Sequence, residues 1–356
     1  MTGQLSVADL RHAHVQAYHH PLVAPPPTGF RGGLVVTDDP GQQRLRHSRY
    51  WQPVDSASAD ARYDVTLYGD YVYGGPIYAH FGHFLSEMAH RLLPSLNQGA
   101  RGTWLFVGVG GDPLLNSVAS APAFFREILA FFDIAPGDVQ VINQNAVVER
   151  LHISEQASDF GGGPKPGYVE ALARHSEAWL KRHGVEPLSI GDVYVSRRFM
   201  PRGGTFLGEH YIEHLLAEQG VSIISPERYP LLEQMNIYRS ARRVVFPEGS
   251  ACHGTELLGA GALGECFLLA RRQDHIEIFS RVLRPRSRAF RVFEFGITLG
   301  SLLGERGGTP WWHTGVSLFD VPKLVRFFGE SDIGWLSRLD LGAYFAAARR
   351  DLDTYL

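Results

Sequence analysis

From Asp192 to Leu269 the chain alternates short apolar runs with amphipathic stretches, and no other feature of the sequence limits its fold so tightly. Asp192-Val193-Tyr194-Val195 is a strand that runs into the basic loop Ser196-Arg197-Arg198, and Val221-Ser222-Ile223-Ile224 is a second strand, followed by Pro226. Arg243 to Phe246 and Glu265 to Leu269 complete the set, since runs of four or five β-branched and aromatic residues read as strands. Between them, Glu209 to Gln219 (ended by Gly220), Leu231 to Ala241 and Thr255 to Ala260 carry helical periodicity. This β-α-β-α-β-α-β succession predicts a parallel sheet with crossover helices. Ligands of such sheets bind at the carboxyl ends of the strands.

The first half is also α/β. Pro21, Pro25, Pro26 and Pro27 predict an extended arm up to about Gly32. Strands are expected at Gly33 to Val36, Tyr63 to Tyr68, Trp104 to Val109, Val139 to Ile142 and Val147 to Ile153, with Gly74-Gly75-Pro76 as a breaker. Helices are expected at Ala123 to Phe132 and Gly167 to His183, and over Ile77 to Leu93, where Pro94 ends the pattern. On that last helix Phe81, Phe84, Leu85, Met88 and Leu92 share one side. His80, His83, Glu87, His90 and Arg91 form a neighbouring polar stripe, expected to face a cleft. The tail from Phe290 is aromatic (Trp311, Trp312, Phe327, Phe328, Trp335) and closes in a helix near Leu341 to Leu356.

A length of 356 residues suits two domains, and 44% hydrophobic with 20% charged residues is a globular balance. A net charge of −3 argues against a nucleic-acid binder that works through bulk positive charge. Cys252 and Cys266 make neither a disulfide framework nor a four-cysteine zinc site. The N-terminus lacks a signal-peptide pattern, and no run of about 18 apolar residues occurs. A cytoplasmic protein is expected; attachment to the inner face of a membrane through a partner stays open.

Val244 to Leu258 reads as strand, glycine loop and helix start, a place where free backbone N–H groups can meet an anion. Three loops should converge at the carboxyl edge of the second half: Ser196-Arg197-Arg198, Pro226-Glu227-Arg228 and Glu248-Gly249-Ser250. These residues resemble glycosyltransferase family 61. The resemblance rests on Tyr194-Val195-Ser196-Arg197, Glu209, Gly220 to Glu227, Glu233-Gln234, Ala241-Arg242-Arg243-Val244-Val245 and Glu248-Gly249-Ser250-Ala251, taken in order. His83-Phe84-Leu85-Ser86-Glu87 is a weaker echo. Eukaryotic members carry His-Gly-Ala where this chain has Glu248-Gly249-Ser250, and the sequence looks more like a bacterial branch that makes surface polysaccharide.

The resemblance implies a GT-B architecture, two Rossmann-like domains facing a central cleft, and an inverting, metal-independent transfer from a nucleotide sugar to a glycan. No cofactor is expected beyond the donor itself. In a metal-free site the protein must itself supply positive charge and N–H donors to the diphosphate that leaves. Arg197 is the first candidate, Arg198 the second, and the Gly249-Ser250-Ala251 backbone the third. Ser196, Pro226 and Glu227 belong to the same donor-side loops, and Glu248, His253 and Glu256 are candidates for ribose or base hydroxyls. The acceptor's base is expected from Glu87 or His83, close enough on a helix to pair.

The expected division is an acceptor-side domain over 1–185, a nucleotide-sugar-binding domain over 186–289, and a tail over 290–356 that packs back on the first. Two other readings stay open. His80, His83, Glu87 and His90 are metal-ligand types, which suits a metallohydrolase, although zinc helices usually pair histidines four apart. The aromatic tail would suit a non-catalytic sugar-binding protein of a polysaccharide assembly.

Overall fold

The computed structural model of the protein describes residues 5–19, 29–58, 60–110, 112–200, 203–300 and 315–356. The chain divides into two compact units, Met1–Trp179 and Leu180–Leu356.

The first unit is built on seven strands: β1 (Val7–His19), β2 (Phe30–Leu34), β3 (Asp55–Ser56), β4 (Val65–Ile77), β5 (Thr103–Gly108), β6 (Val139–Ile142) and β7 (Ala146–Ser154). Their spatial order is β3-β2-β1-β7-β4-β5-β6. Strands β7, β4, β5 and β6 are mutually parallel, as the strand–helix succession predicts. Residues 7–19, expected in an extended arm, instead form a strand antiparallel to β7 that buries Ala13, Val15 and Ala17 on alternate positions. The four prolines of the expected arm lie outside the described residues.

Gly74-Gly75-Pro76 does not break the chain, because β4 runs through it with a register shift between Tyr73 and Gly75. Gly75 sits at φ 97°, and a Cβ at Gly74 would lie 2.4 Å from the Phe106 ring. The glycines serve a bulge and a close approach, not a strand end.

From Phe81 to Asn97 the chain is helical throughout but changes pitch: α at Phe81–His83, π at Phe84–Met88, 3₁₀ at Ala89–Arg91 and α again at Leu92–Asn97. Pro94 lies inside the last stretch and does not end it. The amide hydrogen it lacks is replaced from outside the helix, where the Ala157 N–H donates to the His90 carbonyl at 3.1 Å. Phe84, Leu85, Met88 and Leu92 are buried as expected. Glu87, His90 and Arg91 are buried too, so most of the polar stripe faces the interior of the unit and not a cleft. Helix α2 (Tyr168–Arg182) is tied to α1 (Ala123–Phe131) where the Trp179 indole N–H donates to the Ala130 carbonyl at 3.0 Å.

The second unit holds a five-stranded, all-parallel sheet of β8 (Asp192–Val195), β9 (Ser222–Ile224), β10 (Arg243–Pro247), β11 (Leu263–Leu269) and β12 (Ser287–Phe293). The order is β9-β8-β10-β11-β12. Helices α3 (Glu209–Glu218), α4 (Leu231–Ser240) and α5 (Ile276–Leu283) make the crossovers. β12 straddles the boundary expected at residue 289, so the sheet continues into the tail.

The tail, expected to pack on the first domain, supplies core to the second. Phe319, Val321, Leu324, Phe328, Trp335 and Tyr344 join one buried cluster with Tyr194, Ile212, Leu216, Val245 and Phe267. The last two helices, α6 (Val321–Gly329) and α7 (Leu341–Tyr355), carry most of these residues. The Tyr344 hydroxyl accepts from the Phe319 N–H at 2.9 Å and donates to the Leu207 carbonyl at 3.0 Å. A short parallel sheet with aromatic residues on one face leaves much apolar surface to cover, and the tail covers it. Trp311 and Trp312 lie outside the described residues. Among the described residues, no helix is long and apolar enough to cross a membrane.

Candidate active site

In the first unit, chemistry gathers around Glu87 in the π-turn, a geometry found frequently at functional sites. The carboxylate has no solvent exposure and is held on both oxygens. Arg49 donates from Nε to Oε2 at 2.7 Å and from Nη2 to Oε1 at 3.0 Å. The His47 Nε2 lies 3.0 Å from Oε2, and the His83 Nδ1 lies 2.8 Å from Oε1. Burial alone would raise the Glu87 pKa, but the charge of Arg49 and the bonds from His47 and His83 outweigh it and hold the carboxyl well below its usual range.

The same helix is braced from a loop that follows β7. The Gln156 side-chain amide donates to the Glu87 carbonyl at 2.9 Å, and its oxygen accepts from the Ser48 N–H at 2.8 Å. Asp159 accepts from the Ser48 hydroxyl at 2.9 Å and the Trp51 N–H at 2.7 Å. These bonds fix the 47–51 loop that presents His47 and Arg49. Neither residue was picked out by the sequence, because each lies in a stretch without periodicity, about 40 positions from its partner.

In the second unit, three buried guanidiniums lie just past the carboxyl ends of the two strands that flank β10: Arg197 after β8, and Arg271 and Arg272 after β11. β10, between those two strands, ends at Pro247 and leads straight into Glu248 and Gly249. Arg197 donates from Nε and Nη2 to the Gly204 carbonyl at 3.1 and 2.8 Å, and from Nη2 to the Gly203 carbonyl at 2.9 Å. Among the described residues it forms no ion pair with a carboxylate. Its backbone N–H donates to Glu209 at 3.0 Å. Gly249 lies directly against the guanidinium: a Cβ there would be 1.7 Å from Nη1. Burial lowers the Arg197 pKa, partly offset by Glu209, Cys252 and Glu248.

Glu248 is the carboxylate of this cluster, fully buried. Its Oε2 accepts the N–H groups of Arg271 and Arg272, both at 2.8 Å, and its Oε1 accepts from the Arg272 Nε at 2.7 Å. The Arg271 side chain donates from Nε to the Glu248 carbonyl at 3.2 Å and from Nη1 to the Gly315 carbonyl at 3.0 Å. Burial, then the charge of Arg197, lowers the Arg271 pKa to about 9. Nearby, burial and then Glu213 raise Glu209 to about 7. Among the described residues, Arg197, Arg271 and Arg272 thus lie near the firmly held Glu248 and near Glu209, whose pKa burial raises. Arg271 and Arg272 had a legible signal, since an Arg-Arg pair directly follows a β-strand run, as Arg197-Arg198 does.

The other expected donor-side residues divide. The Ser196 hydroxyl accepts from the Arg198 N–H at 3.3 Å, and Arg198 is half exposed with Nη1 3.4 Å from Glu213. Pro226 and Glu227 form a 3₁₀ turn pinned where the Gln234 amide donates to the Pro226 carbonyl at 2.9 Å, and Glu227 is exposed. Arg228 and Arg198 both lie over the Phe199 ring, at 4.9 and 4.6 Å from its centroid. The α-helix expected over Thr255 to Ala260 is absent. A 3₁₀ turn, Ser250–Thr255, takes its place because Gly254, Gly259 and Gly261 break helical continuity, and the helix-dipole argument falls with it.

His253 and Glu256 point into the protein. Their side chains meet at 3.1 Å, and Glu256 lies 3.3 Å from the buried Arg286, whose Nε and Nη1 donate to the carbonyls of Leu258 and Val282. Among the described residues, no three His, Cys, Asp or Glu side chains are grouped to hold a metal ion.

A model of the family described as Glycosyltransferase 61 matches residues 81–261, half of the chain. The chain belongs to glycosyltransferase family 61. The family-61 match opens at Phe81, two residues before His83, and closes at Gly261, beyond the glycine loop. It thus covers His83 and Glu87, and Arg197 with Glu248, but leaves out His47 and Arg49 and stops ten residues short of Arg271. No curated protein matches this chain.

Proposed function

We propose that this family-61 glycosyltransferase moves a sugar, with inversion and without a metal ion, from a nucleotide-sugar donor to a saccharide acceptor. The observation that carries the proposal is the buried Arg197 guanidinium just past the carboxyl end of β8. An unpaired buried cation is costly, and Arg197 has no carboxylate partner among the described residues. A diphosphate would balance Arg197, Arg271 and Arg272, and would gain most from them as the bond to the sugar breaks and charge builds on the leaving oxygen. Gly249 leaves room for the Arg197 guanidinium, while Glu248 and Glu209 fix the two arginine-bearing loops. Arg198, Ser196, Ser250, Ala251 and the Pro226-Glu227 turn are proposed to line the rest of the donor site.

The first unit supplies the acceptor side in this reading, with the His83–Glu87 pair as the source of the base. The arrangement proposed is GT-B-like, with two Rossmann-like units. By its likeness to the bacterial branch of the family, the product is a surface polysaccharide and the work is done on the cytoplasmic side of a membrane. The test is a panel of nucleotide sugars incubated with the protein and simple saccharides in excess EDTA, with nucleoside diphosphate release measured. Release with one donor, and a product of inverted anomeric configuration by NMR, is the expected result. Release that stops with EDTA and returns with a divalent ion would overturn the metal-free mechanism.

A further inference from the structure

We infer that His83 alone takes the acceptor's proton, at Nε2, and that Glu87, Arg49 and His47 are positioning residues that hold it in the competent tautomer. The inference rests on the transferase reading and separates two residues which that reading treats as a pair.

Glu87 is an unsuitable base on geometry. It has no exposure, and its two oxygens already receive Arg49 twice, His47 and His83. An acceptor hydroxyl has no route to a lone pair there. A carboxylate gripped by a guanidinium is also a weak base, because the interactions that favour its charged form resist protonation. His83 differs on both counts. Its side chain is 30% exposed, against 1% for His47 and 10% for Arg49, so it is the one member of the cluster that a substrate can reach. A neutral imidazole also keeps one ring nitrogen as an acceptor, the form a general base needs.

The tautomer follows from the bonding. An ionised carboxylate only accepts, so the His83 Nδ1, at 2.8 Å from Oε1, must carry the hydrogen. The lone pair of neutral His83 is then on Nε2. The same logic puts the hydrogen of His47 on Nε2, and its Nδ1 has no hydrogen-bond partner among the described residues. His47 therefore acts inward, on Glu87. The groups facing His83 are Glu87 below it, the His80 ring at 4.8 Å, Tyr78 at 5.7 Å and Phe160 at 5.4 Å. Arg49 acts on it through Glu87. The His80 Nδ1 also accepts the His83 N–H at 3.3 Å, which fixes the start of the helical segment.

The step balances without a further reactant. The acceptor O–H bond breaks and its proton passes to the His83 Nε2. The acceptor oxygen forms the new bond to the anomeric carbon, and the old carbon–oxygen bond breaks with its electron pair leaving on the diphosphate. The imidazolium that results is stabilised by Glu87, whose charge is in turn held by Arg49.

The test is an NMR titration of the full chain with ¹⁵N-labelled histidine and ¹³C-carboxyl-labelled glutamate, wild type beside Glu87→Gln and Arg49→Met. The expected result is neutral His83 with its hydrogen on Nδ1 and a Glu87 carboxyl that does not titrate between pH 5 and 8, ranges set by the ordinary pKa values of these groups. Glu87→Gln should lower the fraction of neutral His83 that carries its hydrogen on Nδ1. In Arg49→Met the Glu87 carboxyl should begin to titrate at higher pH than in wild type. A neutral His83 with its hydrogen on Nε2, or a wild-type Glu87 that titrates near pH 7, would overturn the assignment even if no variant folds. With an active donor in hand, His83→Gln should abolish turnover at every pH, whereas Glu87→Gln should retain some. Full turnover in His83→Gln would overturn the base role and leave the transferase reading intact. The expected spectra with no turnover of any donor would overturn both.

Discussion

Arg49 grips Glu87 at two points, Nε to Oε2 at 2.7 Å and Nη2 to Oε1 at 3.0 Å, around a carboxylate with no solvent exposure. An ion pair in that setting is a commitment: removing one partner leaves the other charged and buried. Glu87→Gln should therefore cost about 3–5 kcal/mol of unfolding free energy at neutral pH. The folded-state pKa of Glu87 lies below its ordinary 4.5, so this stability is present above that value and is lost as pH falls through the depressed one. Denaturant melts of wild type and Glu87→Gln should accordingly differ at pH 7 and converge in strong acid. Equal stability at pH 7 would show the pair to be dispensable.

Glu209 gives the opposite pH dependence. Burial raises its pKa to about 7 from 4.5, so the folded chain keeps a proton that the unfolded chain releases earlier. The stability this contributes is complete below about 4.5 and is lost as pH rises through about 7. Glu209→Gln should therefore gain on wild type steadily from pH 5 to pH 8 in thermal melts. The Gln side chain can still accept from the Arg197 N–H and the Tyr194 hydroxyl, the two bonds that Oε1 makes. A difference that shrinks with rising pH would contradict the account.

Gly249 is extended, with φ 165°, so Ala is tolerated there by the backbone, but its Cβ would fall 1.7 Å from the Arg197 Nη1. Gly249→Ala should leave the fold cooperative and displace the guanidinium. Binding of the best nucleoside diphosphate should weaken about tenfold or more, the scale of one lost charge-assisted bond. Unchanged affinity by calorimetry would remove Arg197 from the site.

The tail makes a sharper statement about stability. The Tyr344 hydroxyl satisfies both the Phe319 N–H and the Leu207 carbonyl inside the second unit. Tyr344→Phe leaves both without that partner and should cost about 1–3 kcal/mol. Truncation before α6, which removes Leu324, Phe328 and Trp335 from the core, should leave the second unit unable to fold. A truncated chain that melts like the full one would mean that the tail is not part of that core.

What could be read from residues alone follows from which interactions are local. Strands such as Asp192–Val195 and Arg243–Pro247 declare themselves by β-branched runs, and α1 and α2 by period, because burial on one face leaves a pattern in consecutive positions. The loop residues Arg197 and Glu248 were legible for the same reason, since each directly follows such a run. Residues that act across the chain left no such trace. Arg49 meets Glu87 and Asp159 meets Ser48 only through the fold. The pitch of the 81–97 segment was also hidden, because the groups that bond to it, the His47 ring, the Ser154 carbonyl and the Gln156 amide, lie far from it in the chain. Of the tail aromatics, Phe328 and Trp335 are core to the second unit, because aromaticity records burial without saying against what.

The central claim is that Arg197, Arg271 and Arg272 are charge-balanced by the diphosphate of a nucleotide-sugar donor. Isothermal titration calorimetry of uridine, guanosine, cytidine and adenosine diphosphates, in excess EDTA, tests it most directly on wild type and on Arg197→Gln and Arg271→Gln. The account predicts that at least one nucleotide binds wild type without metal, with an affinity that falls as salt rises, and that either substitution weakens it about tenfold or more while the fold survives. Failure of all four to bind wild type, or equal binding by the two variants, would contradict it.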